Sequence, residues 1–164
     1  MELSIDLEAP WPAAPDWAEL AFQCAEAVAR VAPELANQRL SAGLLLADDA
    51  EVQTLNRQWR SKDKPTNVLS FPMIDRAALL ALGADGPEEM LGDLALALET
   101  CTREAADKGI PVETHAAHLI VHGLLHLAGY DHETSDADAA AMEALETKAL
   151  ALLGIADPYA DAEA

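Results

Sequence analysis

The sequence predicts an α+β fold: a single domain with one mixed four-stranded sheet and about five helices, in the order β-α-β-α-β-β-α-α-α. Three observations predict it. Up to about residue 98, short apolar or alternating segments are interleaved with longer segments of helical period. Beyond that point only helical segments remain, each bounded by a cap or a glycine. The chain has 164 residues and is 51% hydrophobic, which suits one buried core rather than two domains or a disordered chain.

Leu3 to Leu7 alternates apolar and polar residues, as a half-buried strand does. A Pro- and Ala-rich stretch then leads to Asp16, an N-cap for a helix ending near Pro33. Leu40 to Ala47 is more continuously apolar and reads as a central strand. Asp48 caps a helix to about Trp59. Arg60 to Thr66 is a polar loop in which Pro65 biases Lys64 toward extended backbone. Val68 to Phe71 is a third strand, stopped by Pro72. Residues 73–90 form an excursion with the Asp85-Gly86-Pro87 turn signal inside it. Gly92 to Leu98 is the fourth strand.

Of the three closing helices, the first runs from about Glu99 to Lys108 and ends at Gly109. The second spans about Glu113 to Ala128, with Gly129 just past its end. The third starts near Ser135, which with Asp138 suits a capping box, and ends at Gly154. One domain over residues 1–164 follows, with a core of about 3–154 and a frayed acidic tail over 155–164.

Composition narrows the function classes. Cys24 and Cys101 stand alone, so neither a disulfide framework nor a thiolate metal site is encoded, which fits a reducing cytosol. The N-terminus lacks a secretion signal and no apolar run reaches a membrane span, so a cytoplasmic protein without a membrane partner is expected. The formal net charge of −19 argues against sequence-blind nucleic-acid binding. The bases are nonetheless concentrated: Arg57, Arg60, Lys62 and Lys64 place four of ten in eight residues.

Four of the five histidines lie between His118 and His132. On a helix, His115, His118, His122 and His126 span an arc of only about 80° and form one stripe. Positions i and i+4 lie about 5–6 Å apart at Cβ, so His122 and His126 can address one ion. Gly129 lets the chain turn so that His132 returns to the same ion. Three neutral imidazoles favour zinc, one ion per chain, with nickel, copper or iron also compatible. The bland reading of a histidine on an apolar helix is a satisfied core residue, and it holds equally for His118. His115 reads as a surface residue.

The spacing His122, His126, Gly129, His132 also matches the H-E-x-x-H-x-x-G-x-x-H signature of metzincin proteases. Gly123, however, stands where those enzymes carry the glutamate base. Loss of a general base costs about 10²–10⁴-fold in rate, so peptide hydrolysis is disfavoured. The stretch His122-Gly-Leu-Leu-His126-Leu-Ala-Gly129-Tyr130-Asp131-His132 resembles the H-G-x-L-H-L-x-G-Y-D-H signature of the YbeY family. Arg60-Ser-Lys62-Asp63-Lys64-Pro65-Thr66-Asn67-Val68-Leu69-Ser70-Phe71-Pro72 is similar to that family's second motif, and Gly92-Asp93-Leu94 to its G-D-I strand. The likeness covers about residues 40 to 155.

The resemblance implies an endoribonuclease of single-stranded rRNA, acting in maturation of the 3′ end of small-subunit rRNA and in ribosome quality control. It implies zinc on His122, His126 and His132, and a functional Arg60. Chemistry agrees: Arg60 can clamp a phosphate bidentately, and Lys62 and Lys64 can steer the RNA backbone. The bland reading of that cluster is a basic helix end offsetting the dipole. His118 is a candidate for substrate contact or proton transfer, and Asp131 for orienting a ligand from behind. Ser70 and Asp93 sit on strands that can border the site. Two other classes stay open, a metzincin-like metallopeptidase and a non-enzymatic, metal-stabilised ribosome-assembly adaptor. Expected partners, besides RNA, are small-subunit ribosomal proteins or a ribosome-associated GTPase.

Overall fold

The computed structural model describes residues 1–8, 11, 16–62, 66–131 and 135–159. The strands are β1 (Glu2–Leu7), β2 (Leu40–Ala47), β3 (Val68–Pro72) and β4 (Glu89–Ala97). The α-helices are α1 (Trp17–Val31), α2 (Asp49–Arg60), α3 (Arg76–Ala81), α4 (Leu98–Lys108), α5 (Val112–Leu127) and α6 (Asp136–Leu152). The α+β architecture is the predicted one, with a single mixed sheet in the order β1-β2-β4-β3. β1 and β4 pair parallel to β2, and β3 closes the other edge antiparallel to β4.

The caps stand where the sequence puts them. The side chains of Asp16, Asp48 and Ser135 accept from the backbone N–H of Glu19, Glu51 and Asp138, each satisfying an orphan donor of a first turn. The excursion differs from a bare loop: Asp75 caps the short α3, accepting from Ala78 N–H. β4 also begins three residues earlier than predicted, at Glu89. It does so across a bulge: Ser41 pairs with Met90 and Ala42 with Gly92, leaving Leu91 extra. Gly92 has φ 151°, and a Cβ there would lie 2.4 Å from Phe71 O, so only glycine fits this kink.

Successive residues of a strand face opposite sides, and β4 shows what each side holds. Leu94 and Leu96 enter the main core beneath α1, α5 and α6. Ala95 and Ala97 enter a smaller cluster with Val52 and Leu55 of α2 and with Leu69. Helix α5 lies against α1, α4, α6, β3 and β4, and ten of its residues are buried. A helix hydrophobic nearly all round is an interior helix, and its histidine stripe is therefore a polar line inside the molecule. No described helix is long and apolar enough to cross a membrane.

Candidate active site

Helix α5 approaches the sheet closely because Gly123 has no side chain: a Cβ there would sit 2.7 Å from Leu94 Cδ2. At its C-terminus, Tyr130 N–H donates to Leu125 O and Gly129 N–H to His126 O, a Schellman motif with Gly129 at φ 99°. The turn predicted after His126 is thus present. Beyond it Asp131 is half-buried, and His132, the third predicted ligand, lies outside the described residues.

Helix α2 supplies the basic side. Ser61 adopts left-handed backbone at φ 56°, and Lys62 N–H donates to Asn56 O, closing the helix just after Arg60. Antiparallel pairing places Ser70 of β3 opposite Leu94 of β4, on the sheet face that meets α5. These elements enclose a cleft of about 270 Å³. Its lining includes Arg60 and Lys62 from the α2 end, Asn67 and Ser70 from the β3 side, and His122 and His126 from α5. Residues some sixty positions apart in sequence thereby share one space. Lys64 lies outside the described residues, as do Asp63 and Pro65.

Both cleft histidines are tied at Nδ1. Ser70 Oγ is 2.6 Å from His126 Nδ1, and His122 Nδ1 bonds Glu146 Oε1 across from α6. A ring held at Nδ1 by an oxygen ligates through Nε2, the arrangement that metal-binding histidines show. The described donors therefore fit an imidazole-bound ion, with zinc suited to them. Among the described residues no three His, Cys, Asp or Glu side chains converge as a metal group.

His118 is absent from the described cleft lining and lies behind His122. Its Nε2 is 3.2 Å from Tyr159 Oη and 3.5 Å from Glu146 Oε2. His115, read as a surface residue, is only 2% exposed. It bonds Glu104 Oε1 at 2.8 Å, and the same oxygen accepts from Asn67 Nδ2 at 2.9 Å, so His115 anchors a cleft residue from behind. Burial lowers the His115 pKa, with the hydrogen bond to Glu104 opposing. Burial would raise the Glu146 carboxyl, but hydrogen bonds from His118, His122 and Tyr159 outweigh it and hold it at about 2.

Glu146 and Tyr159 escaped the sequence reading. A signal for Glu146 existed: Met142, Glu146, Ala149 and Leu150 form the buried stripe of α6, and a carboxylate on such a stripe requires a partner. Tyr159 lies in the expected frayed tail, yet that segment is docked through 159: Ile155 N–H donates to Leu150 O, and Thr147 Oγ1 donates to Asp157 Oδ1 at 3.3 Å. Ser70 does border the cleft, whereas Asp93 faces a separate groove of about 740 Å³ on the side of the sheet that carries α2.

Comparison with known proteins supplies a family. The family model described as Endoribonuclease YbeY matches residues 13–154. An Endoribonuclease YbeY of Novosphingobium aromaticivorans is 62% identical over 159 residues, covering 96% of this chain and 95% of that one. That of Erythrobacter litoralis is 59% identical over 161 residues, covering 98% and 99%. A solution structure from Thermotoga maritima shares the fold at TM-score 0.61 and 24% identity, covering 92% of this chain and 88% of its own. The chain belongs to the YbeY family.

Proposed function

We propose that this protein is a zinc-dependent, single-strand-specific endoribonuclease that matures the 3′ end of small-subunit rRNA and serves ribosome quality control in the cytoplasm. The observation that carries the reading is the shared cleft: His122 and His126 face the space into which Arg60 and Lys62 project. Relatives covering nearly the whole chain bear the name endoribonuclease, which supports RNA as substrate. His122, His126 and His132 are the proposed ligands of one zinc ion.

When bound, the ion supplies Lewis acidity toward a phosphoryl oxygen and toward water. The chain's own residues do the rest. Arg60 holds the scissile phosphate through paired N–H donors and offsets the charge that develops on it. Lys62 and Lys64 hold neighbouring phosphates as point charges. Ser70 and Glu146 fix the two histidine rings, and Asp131 is the proposed residue that orients a ligand from behind. No carboxylate is among the described lining residues of the cleft. Gly123 stands where a peptidase of this spacing carries its glutamate base, one residue after the first histidine. His118, bonded to Tyr159 and close to Glu146, serves the site from behind.

The net charge of −19 opposes unaided capture of RNA. A small-subunit ribosomal protein or a ribosome-associated GTPase is the proposed partner that delivers the substrate. Zinc-loaded protein is expected to cut single-stranded RNA and spare duplex, and His126→Ala and Arg60→Glu each to abolish cutting. Equal cleavage by wild type and both variants would assign the activity to a contaminant and overturn the reading.

A further inference from the structure

Glu146 is a fully buried carboxylate, 0% exposed, on a helix whose other buried residues are Met142, Ala149 and Leu150. A buried charge persists only where partners compensate it. Here three groups converge on it. His122 Nδ1–H donates to Oε1, Tyr159 O–H donates to Oε2, and His118 Nε2 stands 3.5 Å from Oε2. His118 Nε2–H can at the same time donate to the phenol oxygen, 3.2 Å away. His122 and Tyr159 thus donate to the carboxylate directly while His118 bonds the phenol that braces it, and of these residues His122 is the one in the described cleft lining.

We propose that Glu146 is a positioning residue of the histidine site. Its carboxylate, braced from the far side by the Tyr159 phenol, selects the His122 tautomer with the proton on Nδ1 and aims the Nε2 edge at the cleft. This rests on the metal reading given above and adds residues from two elements outside the histidine segment. Physically, an imidazole turned about its own axis presents the wrong nitrogen, and a fixed negative acceptor on Nδ1 removes that freedom while making Nε2 more basic. The C-terminal segment through Tyr159 then becomes part of the site. His126 needs no such carboxylate, because the Ser70 hydroxyl plays the corresponding part from β3.

The test is a zinc titration of the full chain against a chromogenic chelator, with cobalt(II) absorption and metal-free melting measured in parallel. Wild type should take up one zinc, and His122→Ala should lose it. Glu146→Gln, keeping shape but not charge, should fold and bind zinc about 10- to 100-fold more weakly, with shifted cobalt bands. Tyr159→Phe, lacking one hydroxyl, should show a smaller, several-fold loss. A merely structural tie between α5 and α6 would lower the melting temperature and leave zinc affinity alone. The proposal is overturned if Glu146→Gln and Tyr159→Phe both match wild-type zinc affinity and cobalt spectrum. Should Glu146→Gln fail to fold, unchanged affinity in Tyr159→Phe is sufficient to overturn it. A wild type that takes up no zinc overturns the metal reading itself, and this inference with it.

Discussion

At the scale of single residues, Gly123 does two things at once. It removes the carboxylate that a protease of this ligand spacing would use, and it lets α5 settle onto Leu94, which is 2% exposed. Inserting a methyl group into that contact overpacks the core. Gly123→Ala is expected to cost about 1–3 kcal/mol in urea unfolding, although alanine is the better helix former. The cysteines are the opposite case, buried groups with no role in the cleft. Burial pushes the Cys24 thiol up to about 12, and burial with Glu104 nearby pushes Cys101 to about 12. Thiol reagents should therefore leave both unmodified in native protein at pH 8 and label both after unfolding. Among the residues of the site, the pairing of His122 and His126 on one side of the cleft was legible from i, i+4 spacing alone. The partner of Glu146 was not, because His122 lies 24 positions away on another helix.

At the scale of elements, the end of α5 is held by a clasp that no local pattern announces. Arg76 of α3 donates to Ala128 O at 2.7 Å and to Glu34 Oε2 at 3.0 Å, and its guanidinium lies 4.4 Å from the Tyr130 ring centroid. Tyr130 Oη also donates to Glu34 Oε2 at 2.9 Å. The excursion thus fastens the turn that leads toward His132. Burial would raise the Glu34 carboxyl, but its backbone, Tyr130 and Arg76 outweigh that and lower it below its ordinary 4.5. A carboxyl lowered in the folded state stabilises above its unfolded value and loses that contribution as pH falls through the folded one. The melting-temperature gap between wild type and Glu34→Gln should therefore be full near pH 7 and shrink steadily below about pH 4.5. A gap independent of pH would mean that the carboxylate charge contributes nothing. The capped helices were legible here: Asp16, Asp48 and Ser135 accept where an N-cap must. The early start of β4 was not, since it depends on a bulge that only pairing with β2 reveals.

At the scale of the whole molecule, the site sits where α5, α2 and the β3 edge meet, beside an extensive apolar core. That core does not depend on an ion, unlike a zinc finger, which unfolds without metal. Chelation is expected to leave the far-ultraviolet circular dichroism intact and lower the melting temperature, restored in a concentration-dependent way by zinc. Loss of all secondary structure on chelation would contradict this. The acidic body bears on function at the same scale. A net charge of −19 repels a polyanion, so on the proposed reading RNA would meet the Arg60 and Lys62 edge of the cleft, with a partner to deliver it.

The sequence by itself determined the order of the four strands and five longer helices, the caps at Asp16, Asp48 and Ser135, the turn at Gly129 and the stripe of His115, His118, His122 and His126. Each of these is a local matter, decided by periodicity, by a side chain reaching its own helix end, or by the backbone freedom of one glycine. Only the tertiary structure decided which members of the stripe face the cleft. His122 and His126 meet Arg60 there, His118 turns toward Tyr159 and Glu146, and His115 is buried against Glu104. Helical periodicity places the four rings on one face, and what lies over that face differs along its length. α4 covers one end, α6 and the C-terminal segment the middle, and the cleft the other end. The physical reason is that burial and hydrogen-bond partners come from residues distant in the chain, and those are set by packing rather than by spacing.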